Sequence, residues 1–173
     1  MSGHQDPAIA AGYLNEYRLL LADLVLVTMA EAGSGWERVR DAVRRVTRPG
    51  TEVVATVLRP RPAADVSGRK VACITTALPA SHEIIANHLS EQYGADVVHV
   101  SGNLADRAAL QDELPQVDAE VFVVELKAAA IDVVVEHALT RGVDVVLASN
   151  DVVPLQGEAA LDDILLDMAG MTV

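Results

Sequence analysis

Two arginines one residue apart, Arg59 and Arg61, are each followed by a proline in the segment Arg59-Pro-Arg-Pro62. A proline disfavours helix at the residue before it, so both arginines should lie on extended backbone. Alternate side chains of an extended segment point the same way, and two guanidinium forks on one side can converge on one anion. Arg69 and Lys70 follow, so residues 59–70 are locally basic within a chain of formal net charge −12. The chemistry implied is a grip on a phosphate or carboxylate. The plain alternative is an ordinary solvated linker.

Glu125-Leu-Lys127-Ala-Ala-Ala130 is the next segment with chemical potential. A carboxylate and an ammonium flank the end of an apolar run, and three small residues open the helix that should follow. Small residues let a ligand approach the backbone, and free N–H groups at a helix start attract anions. Lys127 can neutralise developing phosphate charge, while Glu125 can hold a magnesium ion or orient a hydroxyl. A Glu–Lys surface pair on a helix cap is the competing reading.

Weaker candidates share one placement, the end of an apolar run. Thr28 and Glu31 can contact a nucleotide or metal, or simply cap a helix. Thr75-Thr76, with Pro79 and Ser81 behind, offers hydroxyls to a phosphate or forms a capped turn, and the turn is preferred. Ser101-Gly-Asn103 with Arg107 repeats the pattern, and Ser149-Asn150-Asp151 reads as a polar loop. The histidines make no metal site: His82 and His88 are six apart, off the i, i+4 face that zinc-binding helices use. His99, inside an apolar run, reads as a hydrogen-bonded core residue. Neither G-x-x-x-x-G-K-[ST] nor G-x-G-x-x-G occurs.

The elements that must position these residues follow from periodicity. Six short branched-apolar runs, near 24–29, 52–58, 70–75, 96–101, 120–125 and 143–148, read as buried strands. Helical segments are expected from Pro7 to about Asp23, then over about 80–93, 104–114, 128–141 and 158–168. Another begins behind Ser34, with Glu37 at capping-box spacing. Asn103, with Asp106 three residues on, is expected to cap the helix near 104, and Gly94 and Gly142 to end theirs. Strands alternating with helices imply an α/β fold with a mostly parallel sheet flanked by helices in three layers. In such sheets ligands bind beyond the carboxyl ends of the strands, where all the polar clusters above would arrive. Two prolines and a glycine within 59–68 exclude regular structure there and mark a domain boundary.

Composition narrows the function classes. Hydrophobic residues are 51% and aromatics 3%, which favours aliphatic packing and leaves no stacking platform for single-stranded nucleic acid. The net charge repels any polyanion, so no nucleic-acid partner is expected. No apolar stretch approaches the ~20 residues needed to span a bilayer, so no membrane partner is expected either. The lone Cys73 reads as a buried thiol, and a cytoplasmic location is expected.

Four segments carry a family resemblance: Tyr17-Arg-Leu-Leu-Leu-Ala-Asp-Leu-Val-Leu-Val-Thr-Met29, Val54-Ala-Thr-Val-Leu-Arg-Pro-Arg-Pro62, Gly102-Asn-Leu-Ala-Asp-Arg107 and Glu125-Leu-Lys-Ala-Ala-Ala-Ile-Asp-Val133. In order, from about Gly12 to Asn150, the chain resembles the cyclic 2,3-diphosphoglycerate synthetase family. That resemblance implies an ATP- and Mg²⁺-dependent closure of 2,3-diphosphoglycerate to its cyclic diphosphate, with phosphorylation of 2-phosphoglycerate as a companion activity. It implies that Lys127 and Glu125 are catalytic, working near the transferring group, and that Arg59 and Arg61 bind a small phosphorylated glycerate; from their placement at strand ends, Arg107 and Asn103 are added as substrate contacts and Thr28 and Glu31 as cofactor contacts. It also implies a tail of a P-loop-kinase-like core over 1–66 and a Rossmann-like carboxyl-terminal α/β domain over 67–173. The phosphate loop would come from a missing amino-terminal half or a partner subunit, and a homodimer is a further expectation. The alternative is a non-catalytic α/β module that binds a phosphometabolite or regulates a partner. A receiver-type signalling domain fits poorly, because Thr28-Met29 and Thr75-Thr76 stand where its acidic residues belong.

Overall fold

A computed structural model describes residues 1–31, 35–126 and 129–170. Among them lie α1 (Pro7–Ala10), α2 (Tyr13–Leu21), β1 (Leu24–Val27), α3 (Trp36–Arg44), β2 (Glu52–Pro62), β3 (Lys70–Ile74), α4 (His82–Tyr93), β4 (Asp96–Ser101), α5 (Arg107–Glu113), β5 (Val121–Glu125), α6 (Ile131–Arg141), β6 (Asp144–Pro154) and α7 (Leu161–Met168). The expected α/β rhythm is therefore present, with six strands among the described residues. The chain divides into two compact units, one of residues 1–58 and 152–173 and one of residues 59–151.

In the second unit β3 pairs with both β4 and β5, and β5 pairs with β6, all in parallel. Each central strand is buried on both faces, which is why it reads as an unbroken apolar run. Side chains of a strand alternate in direction, so Ala72, Ile74, Phe122 and Val124 pack with Leu104, Leu110, Leu114 and Val134 on one face. Val71, Cys73, Val121 and Val123 pack with Ile85 and Leu89 on the other. Leu89, Leu104 and Leu110 are fully buried, and truncating any of them to alanine costs about 2–5 kcal/mol. Gly94 and Gly142 end α4 and α6 in the left-handed region, as expected, at φ 65° and 68°.

In the first unit β1 and β2 pair in parallel, from Leu24 opposite Glu52 to Val27 opposite Ala55. Val25, Val27, Val39, Val43, Val53, Leu19 and Ala10 form its core. The expected single first helix is two pieces. Asp6 caps α1, accepting from the Ala8 N–H at 2.8 Å, and Gly12 then opens α2. The Ser34 cap lies outside the described residues; α3 starts behind Gly35 at φ 78°.

Three local readings need correction. Residues 59–62 are regular after all: the extended backbone that the prolines impose is the end of β2. The Ala63 N–H donates to the Leu147 carbonyl at 2.8 Å. N–H groups two residues apart face the same side, so the missing donors of Pro60 and Pro62 fall on the opposite one. A strand tolerates proline where no neighbour needs that donor, and β1 reaches only as far as Ala55. Likewise Ser149-Asn150-Asp151 is not a loop but part of β6. Asn103 does not cap α5; Asp106 does, accepting from the Ala108 and Ala109 N–H groups at 3.2 and 3.1 Å.

Candidate functional site: the carboxyl-end rim of the second unit

The loops leaving β3, β4 and β5 are stitched together by backbone hydrogen bonds. Thr75 N–H donates to the Ser101 carbonyl at 2.9 Å, Leu104 N–H to the Thr75 carbonyl at 3.1 Å, and Ala130 N–H to the Leu104 carbonyl at 3.2 Å. Gly102 makes the closest approach: a Cβ placed there would lie 2.6 Å from the Ala77 carbonyl oxygen. The loops after β3, β4 and β5 thus share one rim.

Glu125, the last residue of β5, is its centre. Its Oε2 accepts from Thr75 Oγ1 at 2.7 Å, Thr76 N–H at 2.9 Å and Thr76 Oγ1 at 3.1 Å, and its Oε1 accepts from Asn150 Nδ2 at 2.8 Å. Burial alone would raise this carboxyl, but the Thr76 N–H and the Thr75, Asn150 and Thr76 side chains outweigh it and hold it below the ordinary carboxylate range. Glu125 is therefore a fixed negative charge at neutral pH that orders two hydroxyls and an amide. A carboxylate offers about four lone-pair sites, so little capacity is left. Buried Cys73 feels the same environment: burial, then the Glu125 charge, pushes its thiol up to about 12.

A second carboxylate, Glu113 at the end of α5, organises the loop after β4. It accepts from Ser101 Oγ at 2.6 Å and Asn103 Nδ2 at 3.0 Å, and it meets His99 Nε2 at 2.7 Å. Burial opposes its charge, and the Ser101, Asn103 and His99 donors overcome that and hold the carboxyl low.

Of the predicted basic residues, Arg61 and Arg107 have acidic partners. Arg59 and Arg61 both stand on β2, Arg59 half-buried and Arg61 exposed. Arg61 Nε lies 3.4 Å from Asp151 Oδ1, next to the Asn150 that reaches Glu125. His88 Nε2 meets the carbonyl of Pro60, between the two arginines, at 3.1 Å. Arg107 holds Asp132 with both ends of its fork, at 2.8 and 2.7 Å, and this hydrogen bonding keeps the Asp132 carboxyl below its usual range. Lys127 lies outside the described residues.

Thr28 and Glu31 belong to the first unit. Thr28 is tied to the amino terminus: its hydroxyl donates to the Met1 carbonyl at 3.1 Å, and its strand bridge is to Ser2. Glu31 is half-buried behind it.

Asn150 and Glu113 were missed as working residues. Asn150 carries a faint signal, since a polar triplet ends an apolar run, but its role needs the register that sets Glu125 against Ala148. Glu113 carries none beyond lying on a helix. Among the described residues no group of three or more His, Cys, Asp or Glu is arranged to hold a metal ion, and Glu125 has its oxygens engaged. Glu125, the residue expected to hold magnesium, thus has little capacity left for it, and no phosphate-loop motif occurs in the sequence.

Residues 62–151 match the family described as the cyclic 2,3-diphosphoglycerate synthetase C-terminal domain. The chain is similar to proteins named cyclic 2,3-diphosphoglycerate synthetase from Rubrobacter xylanophilus, 46% identical over 174 residues, and from Thermococcus gammatolerans, 41% identical over 168 residues. The alignments cover 96% and 95% of this chain, and 38% of each relative. The Methanothermobacter thermautotrophicus protein of the same name is 35% identical over 157 residues, covering 88% of this chain and 33% of its own length. The chain thus spans little more than a third of these relatives.

Proposed function

Because this chain belongs to the cyclic 2,3-diphosphoglycerate synthetase C-terminal domain family, we propose that it is the anionic-substrate side of an ATP-dependent enzyme closing 2,3-diphosphoglycerate to its cyclic diphosphate. The observation that carries this reading is the pairing of that match with two arginines on one extended strand, one of them paired to Asp151 of β6, the strand whose Asn150 reaches Glu125. Residues on one strand two apart share a face, which suits two guanidinium groups to a ligand with two phosphates.

The ion pairs in place support a ranking. Arg61 and Asp151 form an exposed pair at 3.4 Å, and such pairs are worth about 0–1 kcal/mol, so a phosphate displaces Asp151 at small cost. Arg107 is held bidentately and Asn103 is committed to Glu113, so both act as secondary contacts that must first exchange partners. Glu125 works by orienting Thr75, Thr76 and Asn150, not by moving a proton, since its carboxyl is held low. Lys127 is assigned the neutralisation of charge on the transferring group. ATP, when bound, supplies the phosphoryl activation for ring closure. Its phosphates and Mg²⁺ are assigned chiefly to the part of the relatives' length that this chain does not span, with Thr28 and Glu31 as candidate contacts. The companion phosphorylation of 2-phosphoglycerate would use the same arginines. A cytoplasmic enzyme is consistent with a described chain in which no helix is long and apolar enough to cross a membrane.

One observation favours a second reading, a phosphometabolite-binding module without catalysis: Glu125 accepts four hydrogen bonds and Glu113 three from internal donors. Calorimetric titration with 2,3-diphosphoglycerate tests the shared core of the two readings. Saturable binding is expected, weakened at least about tenfold, or 1.4 kcal/mol, by Arg59→Ala with Arg61→Ala. Binding that ignores the double substitution, or no binding at all, overturns the assignment. Assaying ADP release with the remaining portion of a relative's enzyme then separates catalyst from module.

A further inference from the structure

His88 makes a contact that the proposed function leaves without a role. It stands half-buried on α4, and its Nε2 lies 3.1 Å from the carbonyl oxygen of Pro60. A carbonyl can only accept, so Nε2 carries the hydrogen and donates it. Pro60 is the residue between Arg59 and Arg61. One helical side chain therefore pins the peptide that joins the two halves of the arginine pair.

The strand end explains why that peptide needs a partner. Exposure alternates along it: Pro60 and Pro62 are buried, Arg61 is exposed and Arg59 is half-buried. The prolines thus anchor one face and the arginines share the other. Ala63 turns its N–H to Leu147 of β6. The N–H and C=O of one strand residue point to the same side and reverse at the next, so the Pro60 carbonyl points away from β6. β1 pairs with β2 only as far as Ala55 and leaves that carbonyl unserved. The carbonyl of a buried residue requires a donor, and His88 provides it.

The ring also lies among the charges that an anion on these arginines would meet. Arg59 of β2 and Asp151 of β6 both act on it, together with Glu91 of its own helix. Asp151 is in turn the partner of Arg61. Tyr93 packs against the imidazole edge to face, with ring centres 5.7 Å apart. Burial is the main reason that His88 titrates below the ordinary imidazole range. The Pro60 carbonyl, Asp151 and Glu91 oppose that shift, and Arg59 adds to it. The ring is thus neutral near neutral pH.

Resting on the reading of Arg59 and Arg61 as an anion grip, we propose that His88 is a positioning residue for that grip: by holding the Pro60 carbonyl it sets the spacing of the two guanidinium groups, and so favours a ligand with two phosphates over a ligand with one. A tie made only for stability would be indifferent to what the arginines hold.

The test is calorimetric titration of the whole chain near neutral pH with 2,3-diphosphoglycerate and with 2-phosphoglycerate, in wild type, His88→Leu and His88→Gln. Leucine removes the donor, and glutamine restores an N–H. In His88→Leu the diphosphate should bind about fivefold or more weakly, the worth of about one hydrogen bond. The monophosphate should change little, so the preference between the two falls, and His88→Gln should recover most of it. In wild type, saturation with the diphosphate should draw the titration of His88, read from its imidazole ¹⁵N resonances, to higher pH, because added negative charge favours the imidazolium. That measurement holds even if His88→Leu does not fold. Equal loss for both ligands, no loss for either, or an unmoved titration would make the histidine a tie for stability alone and overturn the proposal, leaving the anion grip intact. A wild-type chain that binds neither ligand, or that binds them equally well after Arg59→Ala with Arg61→Ala, would instead remove the anion grip and this inference with it.

Discussion

Glu125 makes its case through the cost of losing it. Four hydrogen-bond donors from three residues converge on this half-buried carboxylate, and each is left without a partner if the charge is removed. Glu125→Gln keeps the shape but turns one acceptor into a donor facing other donors. Thr75 is buried, while Thr76 and Asn150 are exposed and can turn to water; one stranded buried donor costs about 1–3 kcal/mol, and in a chain of this size each kcal/mol moves Tm by about 2–4 °C. The pH dependence has a definite sign. The folded-state pKa is lowered, so the stabilisation is fully present above the ordinary glutamate value and is lost as pH falls through the depressed one. Urea unfolding of wild type and Glu125→Gln should therefore differ most near neutrality and converge in acid. A constant difference would mean that the charge is not what the donors hold.

At the scale of elements, the strands and helices were legible and their ends were not. The runs Val71–Ile74 and Val121–Val124 announce buried parallel strands because both faces are covered, so every residue must be apolar. Local rules misjudged β2 and β6, whose ends carry proline or polar residues. What keeps those ends regular is a partner far away in sequence, as Ala63 shows with Leu147. Asn103 failed as a cap because α5 begins only at Arg107, where the adjoining Asp106 reaches the free N–H groups. The rim itself was foreseeable from strand ends. The convergence of Thr75, Thr76 and Asn150 on Glu125 was not, because it depends on register between β3, β5 and β6. Gly102 tests how tightly the loops meet. A Cβ there would press on backbone, not on a flexible side chain, so Gly102→Ala must shift the loop between β4 and α5. We expect a loss of about 1–3 kcal/mol, in the range of overpacking. Hydrogen exchange should speed up at the amides of Thr75, Leu104 and Ala130. Unchanged exchange there would show that the loops are not mechanically coupled.

Across the whole molecule the governing fact is charge: −12 over 173 residues, with the basic residues of 59–70 as a local exception. Folding brings like charges closer than in the unfolded chain, so self-repulsion works against the native state. Salt weakens repulsion beyond the Debye length, about 30 Å at 0.01 M and about 8 Å at 0.15 M. The ion pairs that salt would also weaken are mostly exposed, including Arg48–Asp23, Arg61–Asp151 and Arg107–Asp132, and exposed pairs contribute little. The long-range term should therefore win. Raising NaCl from about 10 to about 150 mM should raise Tm at pH 7. The gain should shrink towards pH 5, where the net negative charge of the chain falls. Salt that lowers Tm at pH 7 would mean that local pairs, not the overall excess of carboxylates, dominate the electrostatics. In that case the arginines of β2 would be set in a balanced surface, and the contrast that singles them out as an anion grip would lose its physical basis.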